Sequence, residues 1–345
     1  MKSEVQECLS RNRIEYVDVF RGIAIVLMVM GHIGFSGHFD KYIHMFHMPL
    51  WFFISGWFYK EQDEELFTIV KKKAKNLVIP YIIFGIVQYP AWLLFNYGSS
   101  TDLLEPIRNY FWINTNLVMP VAGALWFLTC LFFTEIFFLN IRRKVDNEKI
   151  FFILIIILSI LGTLFYKIFL FRLPWAIDTA FVALGFYYVG YEFKLHVGKK
   201  IFFWLLNMPI TITILAFFIN FALCFVNGYV NLRTGAYAFV PLFWLNSVTA
   251  ILVYWNISKG LDKVQIKLVR VICNHIKYIG RNSIIYLCLN QLCILIFSKI
   301  INFANYGVLI WLVGQGILLI ATLGFLYISS RVITQTKLRV IIGKK

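Results

Sequence analysis

Read from one end to the other, the chain alternates long apolar runs with short polar, basic connections. The apolar runs near 17–36, 44–59, 77–97, 119–140, 150–169, 176–192, 201–222, 237–257, 282–298 and 306–330 are each about the length a helix needs to cross a bilayer. The expected architecture is therefore all-α: a polytopic membrane bundle of about ten helices, treated as one integral-membrane domain over residues 1–345. A soluble chain of this length would prompt a two-domain reading, but these runs recur almost to the C-terminus, with no repeat, no low-complexity stretch and no loop long enough for a further domain. The polar leader before the first run has no A-x-A cleavage signal, so that run is read as a retained helix.

Composition supports this pattern. Apolar residues make up 60% of the chain and charged residues 14%, where a soluble domain has about 25% charged. The net charge of +16 would suggest nucleic acid in a soluble protein. Here 27 of the 33 basic residues fall on one set of alternate connections and six on the other. That asymmetry is the positive-inside bias and puts both termini in the cytoplasm. The basic residues are spread over separate inner segments, so nucleic-acid binding is a poor reading of the charge. Six cysteines without a C-x-x-C pair support neither a disulfide framework nor a zinc site.

Ionisable side chains interrupt the first two runs, and such residues are by default functional. Arg21 and His32 are eleven positions apart. Eleven steps of 100° bring them onto one helix face, roughly 16 Å apart along the axis. Arg21 taken alone could be an anchor reaching for the cytoplasmic surface, with Asp18 three residues before it as a partner. His32 taken alone could be a helix–helix contact. On one face they suggest a site running through the membrane. His44 and His47 share a face at the start of the second run, and a short loop returns that end beside His32. A metal would need carboxylates or further ligands and a second shell, and only Asp40 is near, so acid–base chemistry or packing suits these histidines better.

Other intramembrane polar groups have two readings each. Asp178, at the outer end of the sixth run, could orient His32 as a catalytic carboxylate does or cap a helix start. Glu135, near the depth of Arg21, reads as a buried ion pair between helices. Ser55 and Gly56 allow helices to approach closely, Asn282 and Ser283 read as a helix cap, and Trp126–Phe127–Leu128 reads as packing. No G-x-S-x-G, P-loop or H-E-x-x-H occurs, so covalent-serine, nucleotide-hydrolysing and zinc-protease chemistries have no support.

The residues that have accumulated match a known pattern. The segment from Tyr16 through Arg21 and Gly22 to His32, then His44-Met-Phe-His-Met-Pro-Leu to Ser55-Gly-Trp, resembles the integral-membrane acyltransferase 3 family. The likeness continues through Lys75 to Tyr81, Ala124 to Leu128, Leu173 to Asp178, Ala183 to Tyr191 and Ile279 to Ser283. The resemblance implies transfer of an acyl group, usually acetyl, from cytoplasmic acyl-CoA to a hydroxyl of a glycan or lipid-linked sugar, with roles for Arg21 and His32. It suits the stand-alone type that modifies cell-surface polysaccharide, in the plasma membrane and among its lipids. The expected catalytic set is His32, Asp178, His47 and His44. The expected donor site for acetyl-CoA is Arg21, Lys72, Lys73, Lys75, Ser55 and Gly56, since guanidinium geometry suits phosphate and glycine admits close approach. No metal is expected. Many relatives carry a histidine in the ninth run where this chain has Asn290, so that role would be lost or taken by His44 or His47. The outer residues Trp112, Asn114, Asn116, Asn227, Tyr229 and Asn231 could receive a sugar or belong to an interfacial belt. The alternative reading is a non-enzymatic transporter or flippase for a glycan or small anion, although the paired halves that many transporters show are not seen.

Overall fold

A computed structural model describes residues 14–97, 102–116, 119–301, 303 and 307–343. The basic residues Lys2, Arg11, Arg13, Lys344 and Lys345, and Cys8, lie outside them. The helices are α1 (Glu15–Ile33), α2 (Gly37–Trp57), α3 (Leu66–Phe95), α4 (Glu105–Phe111), α5 (Trp126–Lys144), α6 (Glu148–Phe169), α7 (Ile177–Leu195), α8 (Lys200–Leu205) and α9 (Ile210–Asn227). A two-stranded hairpin, β1 (Val230–Asn231) and β2 (Ala236–Tyr237), precedes α10 (Val240–Lys263), α11 (Lys267–Arg281), α12 (Ser283–Ile300) and α13 (Val308–Gln335).

Seven of these, α1, α3, α6, α9, α10, α12 and α13, are long and apolar enough to cross a membrane. Helices α2, α5 and α7 have 21, 19 and 19 residues but a more polar composition. Their position explains the difference. Both α2 and α7 are buried along most of their length, so they face protein rather than lipid and need not be uniformly apolar. The peripheral helices behave in the opposite way: only 17% of the apolar window of α13 is buried, against 56% for α10. On α6, Ile150, Ile153, Ile157, Ile160 and Leu161 are all exposed. Such apolar faces cannot be left in water, and the protein is an integral membrane protein.

Three boundaries differ from the apolar pattern. The seventh run divides at Asn207–Pro209 into α8 and α9, because proline cannot continue a helix and the residue before it avoids helical geometry. The third run belongs to a thirty-residue helix that passes through Pro80 and Pro90. The inner connection before α12 is itself a helix, α11, whose polar and apolar positions alternate at helical period and so give no long apolar run. Asn282 does precede α12, but its side chain donates back to the Tyr278 carbonyl at 3.0 Å instead of capping.

Close backbone contacts join the central helices. A Cβ on Gly56 of α2 would strike the Tyr187 carbonyl of α7, and one on Gly190 of α7 would strike the Phe53 carbonyl of α2. The pair lets two backbones touch, the usual way helices associate where no hydrophobic drive exists. Gly22 of α1 and Gly280 of α11 do the same at the basic end, against Ile276 and Asp18 carbonyls. Two ion pairs, Lys277–Glu15 at 2.5 Å and Arg281–Asp18 at 2.9 Å, fasten that joint. Around these contacts an aromatic core forms: Trp57 lies 4.6 Å from Trp255, and Phe46 stacks on Tyr254 at 4.8 Å.

Gly190→Leu should therefore disrupt the α2–α7 joint, at a cost of about 1–3 kcal/mol or more for overpacking, and lower the temperature at which purified protein loses its monodisperse state in detergent. Gly324→Leu, where a side chain meets open space, should leave that temperature unchanged.

Candidate active site

Helix α1 builds the site. Arg21, Ile25, Met28 and His32 recur at steps of four, three and four, one face of a helix, and each lines a cavity. The inner cavity, about 290 Å³, is walled by Arg21, Ser55, Tyr59, Lys60, Lys73 and Glu135. Arg21 also borders the middle cavity, about 440 Å³, with Ile25, Trp51, Leu131, Ile284 and Leu287. Leu287 then borders the outer cavity, about 180 Å³, with Met28, His32, His44, His47, Arg233 and Gln291. The row thus runs from a cationic end through an apolar stretch to a histidine cluster. A fourth space of about 360 Å³, between α1, α12 and α13, also reaches His32.

Local chain geometry orients the histidines. Pro49 in α2 has no N–H, so the Met45 carbonyl four residues earlier is released from the ladder. Ser247 of α10 donates to it at 2.7 Å, which satisfies a group that lipid would leave unpaired. One turn earlier, His44 Nδ1 donates to the Asp40 carbonyl and His47 Nδ1 to the Ile43 carbonyl, both at 2.8 Å. A carbonyl only accepts, so Nδ1 carries the proton in each ring and Nε2 is left as the basic nitrogen. The two rings meet edge to face at 5.2 Å. His32 Nδ1 lies 3.4 Å from the Gln291 amide nitrogen. Among the described residues no group of three or more metal-ligating side chains is arranged to hold an ion.

At the inner end Arg21 lies over the Phe58 ring, 4.9 Å from its centre, and Lys73 pairs with Glu135 at 2.9 Å. The Glu135 ion pair read from the sequence is thus present, with Lys73 as partner. Of the lysines expected to receive a donor, Lys73 lines the cavity, whereas Lys72 is exposed and bound to Glu64 at 2.5 Å. Lys75 is exposed and borders none of the three cavities. Ser55 borders both inner and middle cavities while donating to the Trp51 carbonyl at 3.0 Å. Gly56 is not available for a ligand, because the Tyr187 carbonyl occupies the space its missing side chain leaves.

Asp178 does not meet His32. It is buried against Arg172, whose Nε donates to it. Arg172 also donates to the Arg233 carbonyl at 2.6 Å and to Thr179 Oγ1 at 2.8 Å. The pair sits beside Trp175 and Ala176, two non-glycine residues at φ of 55° and 58°. That left-handed backbone costs about 1–3 kcal/mol each and is held by bonds from Trp175 to the Phe111 and Trp112 carbonyls. Asp178 thus anchors the β1–β2 hairpin. Asn290 faces away from the cavity and donates to its own helix at Tyr286 and Leu287. The neighbouring Gln291 is the residue that meets His32.

Gln291 and Arg233 were not singled out from the sequence. A polar residue beside Asn290 at the ninth run was the one available signal for Gln291; a loop arginine gave none. Trp126, read as packing, borders the histidine cavity, and Phe127 and Leu128 border the middle one. Asn231 lines the outer cavity. Asn114 is buried and donates to Thr129 at 2.8 Å, and the Asn116 carbonyl receives Arg233.

A family model described as an acyltransferase domain matches residues 14–331. No curated protein and no solved structure matches the chain.

Asp178→Ala should leave Arg172 as an unpaired buried cation and cost about 3–5 kcal/mol, seen as a lowered thermal midpoint in detergent. Replacing both partners, Arg172→Met with Asp178→Leu, should recover a large part of that loss. A carboxylate acting on His32 would instead lose activity with stability unchanged.

Proposed function

The chain belongs to the acyltransferase 3 family and is a membrane acyltransferase, and we propose that it carries an acyl group, in the simplest case acetyl, from cytoplasmic acyl-CoA to a hydroxyl of a cell-surface glycan or lipid-linked sugar in the plasma membrane. The observation that carries this reading is the row of cavities along one face of α1, cationic within, apolar in the middle and basic without. Each part suits a different piece of acyl-CoA. Phosphates are anionic and made inside the cell, so Arg21, Lys60 and Lys73 at the inner cavity suit them. A pantetheine arm is uncharged and extended, which suits the middle cavity and places a thioester toward His32.

At the outer end, His32 acts as general base on the acceptor hydroxyl through Nδ1, the lone-pair nitrogen that faces the Gln291 amide N–H, and the acceptor takes that position from Gln291. The attacking oxygen forms the new ester bond, the carbon–sulfur bond of the thioester breaks, and the proton passes through the imidazole to the departing thiolate. His44 and His47, whose Nε2 is the ring nitrogen not tied to a carbonyl, border the same space and are the other candidates for moving a proton. An acyl group carried transiently on His32 would use the same geometry.

Two substitutions test the division of labour. His32→Ala should reduce acceptor-dependent release of free CoA by about 10²–10⁴-fold while leaving acyl-CoA affinity nearly unchanged. Arg21→Ala should weaken acyl-CoA binding by about 10- to 150-fold, the equivalent of about 1.5–3 kcal/mol for a charged hydrogen bond, and Arg21→Lys should recover only part of it. Isothermal titration of both variants with acetyl-CoA, beside the CoA-release assay, decides. Full CoA release from His32→Ala would defeat the reading, as would movement of intact glycan across vesicles with no CoA released.

A further inference from the structure

We propose that Arg233 is a catalytic residue of the outer cavity, an oxyanion-stabilising cation delivered into the membrane bundle from outside by the β1–β2 hairpin. The inference rests on the reading of the outer cavity as the place of acyl transfer.

The hairpin is built to point inward. Asn231 closes the turn with its side-chain oxygen, which accepts from Arg233 N at 3.0 Å and Thr234 N at 3.4 Å, and Gly235 takes the positive φ of 71° that the return requires. Val230, Leu232 and Tyr237 are buried, so the tip is drawn into the bundle and carries Arg233 with it, 9% exposed. Two of its three guanidinium nitrogens are fixed: Nε donates to the Thr115 carbonyl at 3.0 Å and Nη2 to the Asn116 carbonyl at 2.7 Å. The third, Nη1, lies beside Gly123, as does the Gln291 amide oxygen, and Arg233 and Gln291 both line the cavity of His32, His44 and His47. A side chain at position 123 would collide with both Nη1 and the Gln291 amide oxygen.

Among the described residues no carboxylate pairs with Arg233. Carbonyls orient its charge but do not cancel it, and an arginine buried without a counter-ion is costly unless something anionic completes it. Burial, and then the neighbouring Arg172, push the guanidinium down to about 10, which still leaves it cationic at neutral pH. The nearest titratable neighbours in the cavity are the three histidines, none of which can supply a negative charge. Acyl transfer supplies one. As the acceptor oxygen bonds to the thioester carbon and its proton moves to the imidazole, the carbonyl electron pair moves onto oxygen. That oxyanion collapses by expelling the CoA thiolate, which takes the proton back. A donor fixed in advance by two carbonyls stabilises such a charge without reorganising, which is what makes preorganised donors effective.

The test uses inside-out membrane vesicles from the producing cells, which carry the natural acceptor within and present the inner face to labelled acetyl-CoA. Arg233→Gln should lower the rate at saturating acetyl-CoA by about 10²–10³-fold, with the half-saturating concentration and the amount of protein unchanged. Arg233→Lys, which keeps a charge but cannot hold both carbonyls and still reach Nη1's place, should be intermediate. Should the glutamine variant fail to accumulate, the lysine variant decides alone, by reduced turnover at unchanged half-saturation. Wild-type turnover in either variant, or a raised half-saturation with turnover intact, would overturn the assignment. Vesicles of the unsubstituted protein that incorporate no label would instead refute the acyl-transfer reading on which it rests.

Discussion

Lipid offers no hydrogen-bond partner, and that constraint organises the molecule. Every polar group placed within the spans must be answered by another part of the chain. The structure meets this requirement repeatedly and at long range in sequence. Ser247 answers the Met45 carbonyl freed by Pro49. Gln88 of α3 donates to the Cys288 carbonyl of α12 at 2.7 Å, and Asn220 of α9 to the Asn246 carbonyl of α10 at 2.8 Å. The face of α1 that carries Arg21 and His32 also borders cavities, so whatever enters them can meet these side chains. Access from a cavity is what separates site from scaffold.

The glycine joints follow from the same constraint. Without a hydrophobic force between helices in lipid, close backbone packing has to hold the bundle together. Gly56 with Gly190 fixes α2 to α7, and Gly22 with Gly280 fixes α1 to α11. These contacts set the position of α1 and α2, and hence of Arg21, His32, His44 and His47. The ion pairs of Glu15 and Asp18 with α11 hold the basic end of α1. At the far end the Arg172–Asp178 pair holds the hairpin over the histidine cavity. Both ends of the cavity row are therefore closed by charges that the structure pairs.

Much of this was legible in the chain itself. Apolar runs long enough to cross a bilayer announce helices, because a span must satisfy its backbone within one segment. Arg21 and His32 fall on one face because helical geometry is periodic, and the Glu135 ion pair could be suspected because an isolated carboxylate in a span is too costly to leave alone. The close approach at Gly56 was readable as well, though as a choice between a helix and a ligand for partner.

That choice, and others like it, needed the tertiary structure. Which group a side chain meets depends on helix rotation and on neighbours far along the chain, and neither is written in local spacing. Asp178 belongs to Arg172 and not to His32 because the strained turn at Trp175–Ala176 directs it toward the hairpin. Asn290 and Gln291 are adjacent, yet one faces its own helix and the other the histidine, a difference of 100° in rotation. Arg233 is the extreme case. In sequence it is one of the few basic residues on the outer side, with nothing to distinguish it from a surface charge. Only the hairpin's burial against the bundle brings it beside His32, because apolar flanking residues draw the turn inward and the charge travels with them.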